Sequence, residues 1–223
     1  MEQRFLRSVP ALSEDEQKLL RCRHAAVIGC GGLGGYIVEI LARAGLGTIT
    51  VADGDSFEES NLNRQCLALP SNLGKGKAAA AAKRIRDIDP DVSLRCFEEP
   101  FSAEKASEML CGADIVMDAL DNIPDRLLLE KCCAEAGIPL VHGAVEGWTA
   151  QVCLCPPGSG ILSRLYTGTS SSAGKSVLSH VPALCASLQC SLAIHALCAR
   201  EIPRPDALIV LDTESMTFME LSL

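Results

Sequence analysis

Gly29-x-Gly31-x-x-Gly34 is the first stretch of this chain with chemical potential, because residues without side chains let backbone N–H groups approach a phosphate. Nineteen positions beyond Gly34 stands Asp53, where a carboxylate can accept hydrogen bonds from ribose hydroxyls. That pair fits NAD, FAD or an adenine nucleotide alike, and it also fits tight packing with no ligand. A denser cluster follows at Asp53-Gly54-Asp55-Ser56-Phe57-Glu58-Glu59-Ser60-Asn61-Leu62-Asn63-Arg64-Gln65. Lys77 comes next, then Asp118, Asp121 and Asn122. Hydride transfer has no need of an arginine, a lysine and carboxylates around a pyrophosphate. Phosphoryl or nucleotidyl transfer does, with cations for the phosphates and a carboxylate for Mg2+.

Hydrophobic patterning supplies the elements that must hold these residues. An apolar run at 24–28 predicts a strand, and Ile37, Ile40, Leu41 and Ala44 follow at helical spacing until Gly45 and Gly47 stop them. Residues 48–52 predict a second strand ending at Asp53, which completes a strand, glycine turn, helix, strand unit. A loop at 54–76 leads to an alanine-rich helix at 77–88. Strands at 92–97, 114–117 and 139–143 then alternate with helices at 103–110 and 125–136. The alternation predicts an α/β chain, a Rossmann-like doubly wound sheet, mostly parallel. All three clusters then fall at carboxyl ends of strands, the rim where such sheets bind ligands. Upstream, Ser13-Glu14-Asp15-Glu16 reads as a capping box opening a short helix to about Cys22. Downstream of Gly147 the pattern changes to an antiparallel strand at 149–154 and a Gly/Ser-rich stretch at 156–174 without periodicity, predicted as a loop. A buried helix at 177–199 and antiparallel strands at 207–211 and 217–221 close a single domain over residues 1–223.

Lys and Arg (20) against Asp and Glu (28) give 20 − 28 = −8, the wrong sign for a nucleic-acid footprint. With 48% hydrophobic and 22% charged residues, the chain is neither a disordered tail nor a coiled coil. The apolar stretch at 177–199 is interrupted by Ser179, His180, Pro182, Ser187, Gln189, Ser191 and His195, and reads as a core helix without a membrane partner. Met1-Glu2-Gln3-Arg4 is polar and no apolar signal segment follows, so the twelve cysteines are expected as reduced thiols in a cytoplasmic protein. Cys153 and Cys155 form only a C-x-C pair, and no zinc is expected. His24, His142, His180 and His195 lack ligand spacing and read as structural; Cys185 and Trp148 read as packing residues.

G-C-G-G-L-G-G, D-x-D-x-x-x-x-S-N-L-N-R-Q, the lysine thirteen residues beyond Arg64, and D-x-x-D-N-x-x-x-R together resemble the ThiF/MoeB/HesA family, from about Arg4 to the C-terminus. The resemblance implies an ATP- and Mg2+-dependent adenylyltransferase. Its substrate would be the C-terminal glycine carboxylate of a ubiquitin-like sulfur carrier such as ThiS or MoaD, with a separate sulfur donor. By motif, Gly31, Gly32 and Gly34 form the phosphate turn, Asp53 holds the ribose, and Asp55 is a further cofactor-binding residue. Ser60, Asn61, Leu62, Asn63, Arg64 and Gln65 line the nucleotide, with Asn61 and Arg64 toward the phosphates. Lys77 screens the triphosphate, Asp121 holds Mg2+ and Asn122 lies beside the nucleotide. Arg4-Phe5-x-Arg7 is similar to the family's N-terminal R-Y-x-R, which implies a homodimer with Arg7 reaching the partner's ATP. On this reading 1–23 is an arm and helix, 24–147 the nucleotide half, and 148–223 a carrier-binding half crossed by a loop at 156–176.

The chain departs from zinc-bearing members, whose first C-x-x-C pair would fall near Ile161 and Arg164. It also lacks a cysteine in Thr169-Ser170-Ser171-Ser172-Ala173-Gly174, so no covalent carrier intermediate is expected. Competing expectations are a TcdA-like dehydratase of a modified tRNA adenosine, which the charge disfavours, and a binding-only relative, which intact Arg64, Lys77 and Asp121 disfavour. An NAD oxidoreductase would leave 60–65 unexplained.

Overall fold

The computed structural model describes residues 3–168, 176–205 and 207–223. Eight strands are present among them: β1 (His24–Ile28), β2 (Thr48–Ala52), β3 (Ser93–Phe97), β4 (Ile115–Asp118), β5 (Leu140–Glu146), β6 (Thr149–Cys155), β7 (Ala207–Asp212) and β8 (Thr217–Ser222). They form one sheet in the order β3-β2-β1-β4-β5-β6-β7-β8. The first five are parallel, and β5 to β8 pair antiparallel. The helices are α1 (Glu14–Arg21), α2 (Gly34–Ala44), α3 (Lys77–Ile88), α4 (Ala103–Met109), α5 (Ile123–Ala136), α6 (Ile161–Leu165) and α7 (His180–Leu197). This is the doubly wound, mostly parallel α/β architecture the alternation predicts, with the antiparallel strands on the C-terminal side.

Packing explains the sequence of each element. All five residues of β1 are buried because helices cover both faces, so His24-Ala25-Ala26-Val27-Ile28 has no polar alternation. One core joins Leu20, Ile37, Leu41, Ile49, Ile85, Val141 and Cys190 beneath α1, α2, α3 and α7. The other joins Ile28, Met109, Val116, Leu129 and Leu162 beneath α4, α5 and α6. The buried stripe of α2 is Ile37, Val38, Leu41 and Ala42, and Gly45 ends the helix at φ 86°. By length and composition alone α7 could cross a membrane, but half of it is buried, against β5, β6 and α2.

Several boundaries differ from expectation. β3 starts at Ser93, β5 continues to Glu146 in register with β6, and α7 begins at His180. The larger difference is α6, a helix inside the stretch predicted as a loop. Nothing local caps it, since the residue before it is Gly160. The cap comes from α5: the buried Glu130 carboxylate accepts from Leu162 N (2.7 Å), Ser163 N (3.0 Å) and Ser163 Oγ (2.8 Å). The cysteine-free stretch Thr169 to Gly174 lies outside the described residues.

Before α1, Gln3–Ser8 forms a 3-10 turn. Phe5 is buried beneath the guanidinium groups of Arg4 and Arg21, and both arginines bond to Asp89 at 2.6 Å. Asp89 follows α3, on the amino-terminal edge of the sheet. This arm therefore lies at the opposite edge from the carboxyl ends of the strands.

Candidate active site

The chain leaves β1 toward β2 and β3 on one side and returns to β4 and β5 on the other, so the carboxyl ends of β1 and β4 diverge. A cavity of about 840 Å³ opens there, lined by Gly31, Gly32, Asp53, Asp55, Arg64, Gln65, Lys77, Asp121 and Asn122. Separate parts of the sequence thus meet on one surface.

Its glycines have different duties. At Gly29 (φ 97°) an added Cβ would sit 2.5 Å from Ala119 O, and at Gly34 it would sit 1.9 Å from Gly29 O. Those two residues let the turn fold tightly between β1 and β4, and Gly34 does not line the cavity. At Gly31 and Gly32 the nearest atoms to a Cβ belong to the Gln65 and Pro182 side chains, at 3.4 and 3.8 Å. Their missing side chains leave space in the cavity itself. Asp53 accepts from Cys30 N (2.7 Å) and Asp55 N (2.8 Å), which ties the glycine turn to the end of β2, and burial pushes its carboxyl pKa up.

Lys77 opens α3 and is nine-tenths buried; its Nζ donates to Asp55 Oδ2 at 2.8 Å, and that carboxylate is largely exposed. Arg64 Nη1 donates to Ser60 O (2.9 Å) and Asn63 Oδ1 (2.8 Å). Asn61 Oδ1 accepts from Glu58 N at 3.0 Å, and Asn63 Nδ2 donates to Val177 O at 3.2 Å. Ser60, Asn61, Leu62 and Asn63 do not line the cavity; they shape the turn that presents Arg64 and Gln65 to it. Asn122 caps α5, accepting from Asp125 N at 2.9 Å, while Asp121 stands exposed before it. Arg7 is exposed in the N-terminal turn, outside this chain's cavity.

The turn, the acidic loop, Lys77 and Asp121 sit together as one site, and the sequence signature of the ThiF family matches residues 3–223. The chain belongs to the ThiF family. It is 30% identical over 227 residues to the sulfur carrier protein adenylyltransferase of Thermus thermophilus, covering 96% of this chain and 84% of that one. It is 40% identical over 144 residues to the SAMP-activating enzyme E1 of Haloferax volcanii, covering 65% of this chain and 53% of that one. For the sulfur carrier protein ThiS adenylyltransferase of Bacillus subtilis the figures are 39% over 145 residues, 64% and 43%. The chain thus spans about half the length of the latter two relatives. Among solved structures, E. coli MccB with AMPCPP and MccA superposes with a TM-score of 0.84 at 20% identity, covering 99% of this chain and 71% of that one. At that identity the likeness is one of fold.

The family motifs leave part of the opposite wall unaccounted for, which carries Gln151 and Tyr166 beside the motif residue Arg126. Arg126 stands in D-x-x-D-N-x-x-x-R, so it had a signal; Tyr166, in the stretch predicted as a loop, had none. Beneath them, His142 Nδ1 meets Asp118 Oδ2 at 2.6 Å with both groups fully buried. Gly143 is required here, since a Cβ would sit 2.3 Å from the Gln189 side chain, whose Nε2 donates to Asp118 O (2.8 Å) and Val141 O (3.2 Å). The structural reading of His24 and His142 agrees with their burial and bonding, with His24 Nε2 2.8 Å from Thr50 Oγ1. Cys185 is buried, and burial pushes its thiol to about 12. Trp148 is 43% exposed and packs against the His180 ring.

Proposed function

We propose that this ThiF-family chain activates the C-terminal glycine carboxylate of a ubiquitin-like sulfur carrier as an acyl-adenylate, using ATP and Mg2+. One observation carries the reading. Lys77 is a nine-tenths buried cation at the first turn of a helix, where the helix dipole disfavours positive charge, and it faces the same cavity as Gly31 and Gly32. An anionic ligand offsets that cost. The names of the relatives support the carrier as substrate class.

The reaction joins two anions. A carboxylate oxygen of the carrier bonds to the α-phosphorus, the bond from that phosphorus to the bridging oxygen breaks, and pyrophosphate leaves with the electron pair. A carboxylate is already ionised near neutral pH, so no general base is required. This chain's part is to screen charge and hold the groups in line. Gly31 and Gly32 admit the phosphates to the backbone, and Asp53 and Asp55 take the ribose end. Arg64 and Lys77 counter the phosphate oxygens, with Lys77 released from Asp55 toward them. Asp121 and the phosphates would hold Mg2+, which supplies further charge neutralisation when bound. Within the proposal residues 148–223 form the carrier-binding half, and a separate protein donates sulfur. The enzyme acts in the cytoplasm, where its twelve free thiols stay reduced. As the R-Y-x-R resemblance implies, Arg7 serves the site of a second copy in a homodimer, and its exposed place outside this chain's own cavity supports that reading.

Calorimetry with ATP–Mg2+ and with NADH, followed by ATP–pyrophosphate exchange in the presence of candidate carrier proteins, tests this. The expected result is ATP binding, and exchange that Asp121→Ala abolishes while the circular dichroism spectrum is unchanged. Tight NADH binding without ATP binding overturns it.

A further inference from the structure

Tyr166 follows the last turn of α6, outside every nucleotide motif, yet it lines the same cavity as Lys77 and Asp121. Its hydroxyl is the centre of a hydrogen-bond array. Arg126 Nη1 donates to it at 3.1 Å, and Gln151 Nε2 donates to it at 3.0 Å. A phenol oxygen has two lone pairs and one proton, and those two donors occupy both lone pairs. The proton therefore goes to His142 Nε2, 3.0 Å away. That assignment leaves the imidazole proton on Nδ1, where it is donated to Asp118 Oδ2 at 2.6 Å. The Asp118 carboxylate in turn lies 3.6 Å from Arg126 Nε, so the array is close to electrically neutral.

The array fixes Tyr166 from the sheet side, and Glu130 fixes the start of its helix from α5. Two independent restraints thus converge on one ring in the cavity wall. In an acyl-adenylation the acceptor must share the cavity with the nucleotide, since the carboxylate has to reach the α-phosphorus. The glycine turn, Asp53, Arg64 and Lys77 occupy the β1–β2 side. Arg126, Thr149, Gln151, Tyr166 and Val177 are among the residues lining the opposite wall, toward β5 and β6.

We propose that Tyr166 is a positioning residue, whose ring forms the acceptor-side wall that aligns the incoming C-terminal segment of the carrier with the nucleotide. The proposal rests on the acyl-adenylation reading above. The hydroxyl pins the ring through Arg126, Gln151 and His142, and the ring makes the contact.

Full-length wild-type and variant chains are compared by ATP–pyrophosphate exchange, with purified ThiS and MoaD proteins as the carrier probes and ATP and carrier varied separately. Tyr166→Ala should raise the half-saturating carrier concentration about tenfold while leaving that for ATP within about twofold. Tyr166→Phe, which keeps the ring but loses its pins, should raise the half-saturating carrier concentration about threefold, between wild type and the alanine chain. Tyr166→Leu carries the same comparison if the alanine chain does not fold. Equal losses in Phe and Ala, parallel shifts in ATP and carrier, or no shift at all overturn the positioning role while leaving the adenylation reading intact. If wild type binds ATP but neither carrier supports exchange, the adenylation reading fails and the positioning role fails with it.

Discussion

Gly31 and Gly34 stand three positions apart and lack side chains for different reasons. An alanine at 34 would drive its Cβ into the Gly29 carbonyl, whereas one at 31 meets only the end of a flexible glutamine. Gly34→Ala should therefore fail to fold. Gly31→Ala should fold, with ATP binding weakened about tenfold or more because a methyl group occupies the phosphate approach. Circular dichroism and calorimetry on the two variants check this, and similar behaviour of both would contradict it. Lys77 offers the complementary case. Its ammonium sits at the positive end of α3, where a cation costs about 0.3–1 kcal/mol. Lys77→Ala should lower exchange about a hundredfold or more. Its urea midpoint should stay at the wild-type value or rise, the trade expected of a residue placed for chemistry.

At the scale of elements, α6 shows how a helix can be specified from a distance. Its five residues have no local cap, and a helix that short has little stability of its own. Glu130 supplies three acceptor contacts from α5. Glu130→Ala should cost about 1–3 kcal/mol, measured by urea unfolding, because buried donors at the start of α6 lose a charged partner. An unchanged midpoint would mean that α6 is held by other contacts. The same variant should weaken carrier saturation more than ATP saturation, since Tyr166 ends this helix.

For the whole molecule, two buried imidazoles set a pH dependence. Burial lowers the pKa of His24 and of His142 below the ordinary imidazole value of 6.5. As pH falls through that value, the unfolded chain takes up protons that the folded chain resists, so the unfolded state binds more protons and stability falls. The urea midpoint should therefore drop between about pH 7.5 and about pH 5.5, and His24→Gln should make the drop shallower. A flat profile would show that neither ring is held neutral. Assembly supplies the second test at this scale. Arg7→Ala and Asp121→Ala chains should each be inactive, and a mixture that exchanges subunits should regain activity, because one site then has an intact Asp121 and an intact partner arginine. Mixtures that stay inactive despite exchange, or a monomer that turns over normally, would remove Arg7 from the reaction.

Local information determined most of the frame. Alternating apolar runs set β1, β2, α2 and α3 to within a residue or two, and the glycine, acidic and Asp-Asn motifs fell at strand ends because strands point their carboxyl termini to one edge. Family resemblance then named cavity residues after β1, β2 and β4. Tertiary structure decided the rest. Sequence spacing could not separate Gly34, which the turn needs, from Gly31, which the cavity needs, since the difference lies in which atoms a Cβ would meet. Nor could it show that Asn61 and Asn63 build a turn while Arg64 faces the cavity. α6 and Tyr166 were illegible for the same reason. Their cap and hydrogen-bond partners come from Glu130, Asp118, Arg126, His142 and Gln151, residues that only folding brings within reach.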